Sequence, residues 1–300
     1  MATNQTISRL IRQTQEGLDS ILTHEDYQLK STWEKVFTTK QHDKHYYEFM
    51  QRSGGYLATP IGEGENYSNF QTIDQDFLTR KVLQMYEITY RYTFFAQRFN
   101  LYDNLKESMI MDGSKGHDAR KDWDGADILN NGFTDTGPDG SALFANSHSA
   151  SNKRSDITVD NRIDLDISVD ALEQAYILID KFYNPDGIIG QYEARKVVYP
   201  EDLQFDVKRI LESMGEVGTA NNTTNTMYKG FQGIKWKRLS DKDSYFVLTD
   251  CRKGLMCVEN MKPTVKIMND QNSPDVLIAI LAIYRMLYED FRLGVGCLGQ

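Results

Sequence analysis

From Gln97 to Phe133 the chain reads QRFNLYDNLKESMIMDGSKGHDARKDWDGADILNNGF, the longest helical pattern in the sequence. Apolar or small residues fall at Leu101, Leu105, Met109, Gly113, Gly116, Ala119, Trp123, Ala126 and Leu129. Steps of three and four residues place them on one stripe of a helix. If Leu101 to Asn130 is all helical, the rod spans roughly 45 Å at about 1.5 Å per residue, beyond the usual three turns. The stripe is narrow and the remaining surface is charged, so the rod is expected to lie across something rather than inside it. Gly113 and Gly116 mark where it would bend. Asn130, Asn131 and Gly132 mark its end as a left-handed cap.

What flanks the rod decides what it can lie across. Residues 7–40 read as one or two amphipathic helices, with Ile7, Leu10, Ile11, Leu18, Ile21 and Leu22 on one face. Leu29, Trp33, Val36 and Phe37 form a second face. This is an arm that packs on the body or on a neighbouring subunit. Residues 41–80 read as a long exposed β-hairpin bending near Gly62–Asn66. A lone hairpin buries too little to be stable in water and must find a surface. It carries Glu63, Glu65, Asp74 and Asp76, with no Lys or Arg between Arg52 and Arg80. Such a one-signed loop suits a basic partner, and Lys115, Arg120 and Lys121 cluster on the long helix.

Residues 81–96 are rich in Tyr, Phe, Ile and Thr and read as one long strand or a pair. Beyond the rod, 134–152 is loop by composition and 156–167 should contain a strand. Ser168 caps a helix over 169–183, Asn184-Pro185-Asp186-Gly187 turns, and 194–200 is a strand. A helix runs from Pro200 to about Met214. Short strands follow at 230–238, 244–250, 254–258 and 263–269, and the apolar segment 276–295 is read mostly as strand.

Chemical motifs are scarce. There is no Walker A loop, no GxGxxG and no GxSxG. Asp164 and Asp166 share a strand face and would bind a divalent ion only with further oxygen ligands. Asp122, Asp124 and Asp127 read as solvated helix surface. His148, between Ser147 and Ser149, lacks a located nucleophile and orienting group. His24, His42, His45 and His117 have no zinc spacing with each other or with Cys251, Cys257 and Cys297. Three cysteines without a CxxC pair fit a reducing compartment. No signal-peptide pattern opens the chain, and VLIAILAI at 276–283 is too short for a bilayer. A net charge of −9 argues against tight, nonspecific binding of phosphate backbones. The expectation is therefore no catalytic residue, no metal and no cofactor. Aromatic strands, an arm and an exposed hairpin without chemistry suggest a protein that contacts copies of itself.

At ILNNGF (128–133) and GPDGSALFANSHS (137–149) the sequence resembles major capsid proteins of tailed bacteriophages, in particular Mu-like major head subunits. YPEDLQFDVKRILES (199–213) with GTANNTTN (218–225), DSYFVLTD (243–250) and YEDFRLGV (288–295) extend the resemblance in order over about two thirds of the chain. It implies an α+β chain with the Hong Kong 97-type capsid fold. Residues 1–43 would be an N-terminal arm and 44–80 an extended loop. A peripheral domain with the spine helix would cover 81–166, an axial domain 167–275, and a return strand of the peripheral domain 276–300. It further implies hexamers and pentamers of an icosahedral shell enclosing the phage genome without sequence-specific DNA binding, no membrane partner, and a virion protein assembled in the host cytoplasm. Portal, decoration and separate scaffolding proteins would be partners, since no large N-terminal scaffolding segment is recognisable. Cross-linking family members use a loop lysine, and none lies between Lys44 and Lys81, so no such cross-link is implied. The alternatives are an encapsulin-like nanocompartment shell of the same fold and, from another class, a metal-dependent hydrolase built on Asp164, Asp166 and His148.

Overall fold

The computed structural model describes residues 31–53, 57–67, 69–70, 72–99, 105–215, 224–251 and 254–299. The chain enters through a one-turn helix α1 (Trp33–Val36) and strand β1 (Thr38–Gln41). Strands β2 (Tyr46–Ser53) and β3 (Asp74–Val82) form the hairpin. β4 (Gln84–Tyr92), α2 (Phe94–Phe99) and the long α3 (Leu105–Asn130) follow. Short strands β5 (His148–Ser149), β6 (Thr158–Val159) and β7 (Arg162–Ile163) lead to α4 (Val169–Asp180), β8 (Ala194–Tyr199), α5 (Gln204–Glu212), β9 (Gln232–Lys235) and β10 (Tyr245–Thr249). The return path is β11 (Leu255–Asn269), β12 (Val276–Tyr288), a 3-10 turn at Phe291–Leu293, and β13 (Gly294–Cys297).

Two sheets result. One has the order β1-β11-β12-β4, with β1 parallel to β11 and the other pairs antiparallel. The other has the order β7-β13-β10-β8-β9. Strand pairing therefore cuts across the expected boundary at 275: β11 belongs with β12, while β13 joins β10 in the second sheet.

The helix α3 lies across the first sheet for a local reason. Alternate residues of β12, namely Ile278, Ile280, Ala282, Tyr284 and Met286, are all buried, the period of one strand face. Against this ridge α3 presents small residues. A Cβ on Gly113 would collide with Ile280 Cδ1, and one on Gly116 would stand 2.5 Å from Ile88 Cδ1. The glycines thus admit the sheet's isoleucines instead of bending the rod, and α3 is continuous over 26 residues, roughly 39 Å at 1.5 Å per residue. His117 Nε2 donates to the Ile280 carbonyl (3.0 Å), and Tyr284 hydroxyl donates to Asp124 (3.2 Å). Among the described residues, no helix is long and apolar enough to cross a membrane.

Several expectations need correction. The buried side of α3 is Ile110, Gly113, Ser114, His117, Lys121, Gly125, Ala126 and Leu129. Trp123 instead stands exposed, with the Arg238 guanidinium 4.7 Å from its ring centroid. Residues 38–41 form a strand paired parallel beside β11 rather than continuing a helix, although Trp33 and Phe37 are buried as their spacing indicated. Residues 94–99 turn helical because Asp275 accepts from Phe94 N (2.9 Å) and Thr93 Oγ1 from Ala96 N (3.3 Å). These local caps outweigh β propensity. The strands expected at 254–258 and 263–269 are one strand, with its register shifts between Glu259 and Thr264, a stretch that holds Pro263. Ser168 caps α4 through Ala171 N (3.1 Å), as its sequence signal indicated. The arm face from Ile7 to Leu29 and residues 101–104 lie outside the described residues.

Candidate functional site

The hairpin is fixed at its root and exposed beyond it. β2 and β3 pair from Tyr46 opposite Val82 to Ser53 opposite Asp74. At the root, buried Tyr47 donates its hydroxyl to Glu289 and accepts from Lys40 Nζ. Gln51 Nε2 donates to the Ala150 carbonyl (3.5 Å), and Asn152 N donates to Asp76 Oδ1 (2.8 Å). Asp76 is consequently a buried anchor with its carboxyl pushed up by burial, not part of an exposed acidic face. Beyond the root, Leu57, Ile61, Tyr67, Phe70 and Ile73 are exposed, Tyr67 by 85% and Phe70 by 83%. The bend falls where expected: Glu65 N donates to Gly62 O (3.2 Å), and Gly64 has φ +83, a conformation glycine adopts without strain. A loop that shows this much apolar surface is built to be covered.

The helix is not its complement. Lys115 is exposed, but Arg120 pairs with Asp124 (2.8 Å). Lys121 is buried against Glu259, between the rings of Trp33 (5.0 Å) and Tyr284 (5.3 Å). The expected basic cluster therefore does not form on α3. Cations also stand beside the hairpin root, in a cleft of about 590 Å³ lined by Arg80, Lys81, Ile128, Asp135, Arg285 and Met286, among others. Arg80 pairs with Glu48 (3.0 Å). Among the described residues Lys81 and Arg285 make no ion pair. The cleft also exposes a strand edge. β4 covers β12 only as far as Tyr284, whereas β11 continues to Tyr288, so among the described residues Arg285–Tyr288 pair with no strand on one side. Backbone groups on such an edge are a template for an extended segment.

A second apolar patch lies on α2, where Phe94, Phe95 and Phe99 are exposed and the Phe95 and Phe99 rings stack at 6.2 Å.

The polar residues singled out from sequence take internal roles. His148 is fully buried; its Nδ1 meets Asp139 Oδ2 (2.5 Å) and its Nε2 meets Asn161 Oδ1 (3.1 Å). Asn161 Oδ1 also accepts from Ala145 N (2.8 Å), and its Nδ2 donates to the carbonyls of Leu143 and Phe291. With the amide oriented by those bonds, Nε2 donates, and His148 braces the 139–161 loop while stacking on Phe291 (4.0 Å). Asp164 accepts from Arg162 Nε (2.8 Å) at the surface. The trio Asp164, Asp166 and His148 is thus not brought to one point as a shared centre. Among the described residues, no group of three or more His, Cys, Asp or Glu could hold a metal ion.

Asp122 is not solvated helix surface: it accepts from Thr32 N (3.0 Å) and Trp33 N (2.9 Å), capping α1 across the fold. Asp124 binds Arg120 and Tyr284, while Asp127 is exposed. Cys257 and Cys297 are buried free thiols pushed up to about 12, chiefly by burial. Arg292 escaped notice in the sequence. It is fully buried, pairs with Asp290 (2.9 Å) and donates to the Ala150 carbonyl (2.7 Å). Its ion-pair partner Asp290 is two residues away, but the carbonyls of Tyr183 and Ala150 that also hold it come from distant elements.

No protein-family profile matches the sequence, and no curated protein matches it. Solved structures do match. The capsid of the cyanophage P-SCSP1u superposes with TM-score 0.60 at 10% identity, covering 90% of this chain and 88% of that one. The mature capsid of bacteriophage PhiM1 gives 0.57 at 8% identity over 91% and 88%. The virus-like particle of Pyrococcus furiosus gives 0.54 at 9% identity over 94% and 98%. The chain has the α+β Hong Kong 97-type capsid fold.

Proposed function

We propose that the protein is the major capsid subunit of a tailed bacteriophage, assembling as hexamers and pentamers into an icosahedral shell around the genome. The observation that carries this reading is the hairpin: anchored at its root by Tyr47, Gln51 and Asp76, it holds Leu57, Ile61, Tyr67, Phe70 and Ile73 out in solvent. The fold shared with capsids and a virus-like particle supports it. In this reading the four-stranded sheet with α3 is the peripheral domain, and the five-stranded sheet with α4 and α5 is the axial domain. The acidic loop of one copy, with Glu63 and Glu65, docks on Lys81 and Arg285 in a neighbour's cleft. Each contact is weak, but many engaged together give avidity, and the charges set register more than affinity. Scaffolding, portal and decoration proteins are the further partners, and the virion is its location after assembly in the host cytoplasm.

Electron microscopy and light scattering of the purified chain test the reading. Closed shells, rings or capsomer sheets are expected, and a strict monomer over the whole concentration range would refute it. Particles recovered from host cells separate the two shells of this fold: nuclease-protected genome fits a capsid, and enclosed protein cargo fits a nanocompartment.

A further inference from the structure

The cleft beside the hairpin root lies between two strand edges. Its origin is a fork at Leu83. Leu83 N donates to the His45 carbonyl (3.0 Å) on the hairpin side, while the next residue, Gln84, stands opposite Tyr284 of β12. On the hairpin side of the fork, Leu78–Lys81 of β3 line one wall of the cleft and Arg285–Tyr288 of β12 the other. Among the described residues β3 pairs with β2 alone, and Arg285–Tyr288 pair with β11 alone. The β12 wall therefore offers unpaired backbone groups over roughly 13 Å at about 3.3 Å per residue. Ile128 and Leu143 add apolar lining, and Arg80, Lys81 and Arg285 outnumber Asp135. A cleft of this make suits an extended apolar segment that ends in negative charge.

The chain itself carries such a segment. Leu57–Ile61 belongs to no helix or strand, and all five residues are exposed. Leu57, Thr59 and Ile61 alternate with Ala58 and Pro60, so an extended backbone sets both large apolar side chains on one face. Glu63 and Glu65 follow directly, and Glu65 is oriented at the bend by accepting from Gly62 N (3.0 Å). Pro60 fixes which edge of the segment can pair. It has no N–H and belongs on the unpaired side of an edge strand. Residues 58 and 60 then face away from the partner strand, and Leu57, Thr59 and Ile61 bond to it.

We propose that Leu57–Ile61 of a second copy enters this cleft as a strand added to the Arg285–Tyr288 edge of β12, with Glu63 and Glu65 reaching Lys81 and Arg285. This rests on the loop docking proposed above and adds what charge alone does not supply, a backbone register. Loop and cleft are different surfaces of one chain. Each copy therefore gives one strand and receives one, a head-to-tail contact of the kind that closes into rings.

Hydrogen exchange of the full-length chain, assembled against unassembled, tests the added strand. Amides in 57–61 and in 285–288 should both gain protection on assembly, by about ten-fold or more. Proline substitutions read the register. Thr59→Pro deletes an N–H that bonds to β12 and should raise the concentration needed for assembly about ten-fold. Ala58→Pro deletes one that faces away, and Thr59→Ala deletes none, so both should assemble near the wild-type concentration. The two prolines stiffen the same exposed loop, so the difference between them belongs to the backbone bond. Shells whose 57–61 amides exchange as fast as in the free subunit would overturn the strand and leave the shell itself standing. Equal effects of Thr59→Pro and Ala58→Pro would also overturn it. A chain that assembles at no concentration would overturn the strand and the shell together.

Discussion

At the scale of residues, several buried polar groups in this protein meet partners far away in sequence, Tyr47 with Glu289 and Lys121 with Glu259 among them. Lys121 and Glu259 show the energetics. The pair is buried, the aromatic rings of Trp33 and Tyr284 flank the ammonium group, and Cys257 Sγ lies 4.0 Å from the Glu259 carboxylate. Removing one partner strands the other charge, whereas replacing both with apolar groups of similar volume is close to neutral. Lys121→Met should cost about 3–5 kcal/mol in urea unfolding of the subunit, and Lys121→Met with Glu259→Leu should recover most of it. A double variant as unstable as the single one would mean that the pair contributes more than charge compensation.

Between elements, the contact that matters most is the helix on its sheet. Gly113→Ala gains about 1 kcal/mol of helix propensity, yet its new methyl group collides with Ile280 Cδ1. Overpacking of this kind costs about 1–3 kcal/mol, so a net loss is expected. Ile280→Val removes that Cδ1 and should relieve the loss in the double variant. Thermal unfolding of the four chains closes the cycle, and additive effects would show that the two positions do not meet. The hairpin makes its contact between molecules. Glu63→Lys with Glu65→Lys should lower shell yield and weaken its dependence on salt, because exposed charges are screened. Lys81→Glu with Arg285→Glu in the same chain should restore both. Unchanged yield in the first variant would place the loop's charges outside the contact.

Across the whole molecule the two larger sheets share the largest of three apolar clusters. The largest apolar cluster joins Trp33 and Phe37 of the arm and Ala126 and Leu129 of α3 to Tyr284 of the first sheet and to Val197, Phe246 and Val247 of the second. Phe246 itself packs on Phe144 (5.3 Å) and Phe133 (6.0 Å). A core shared in this way should unfold as one unit. Near-UV and far-UV circular dichroism of unassembled subunits should give coincident denaturant transitions, and Phe246→Ala should shift both by about 3–5 kcal/mol. Two separated transitions would mean that the sheets are independent domains.

The sequence alone determined what depends on near neighbours: the existence of α3, its end at Asn130 (though without the expected left-handed cap, since none of Asn130, Asn131 and Gly132 has a positive φ), the Ser168 cap, the bend at Gly62–Glu65 and the strand character of 276–288. The ordered motifs from 128 to 295 also pointed to the fold, because loop and cap residues obey backbone geometry that is local. Tertiary structure decided the rest. It buried Lys121 and exposed Trp123, reversing their polarity on the helix, because Glu259 lies 138 residues away from its partner. It turned Asp76 into an anchor and Asp122 into a cap for a helix 89 residues earlier. It tied Arg120 and Lys121 of α3 into ion pairs and placed Lys81 and Arg285 in the lining of the cleft. Gly113 and Gly116 are the clearest case: local propensity marks them as weak points of the rod. Only the isoleucines of the sheet beneath show that they are where the rod comes closest.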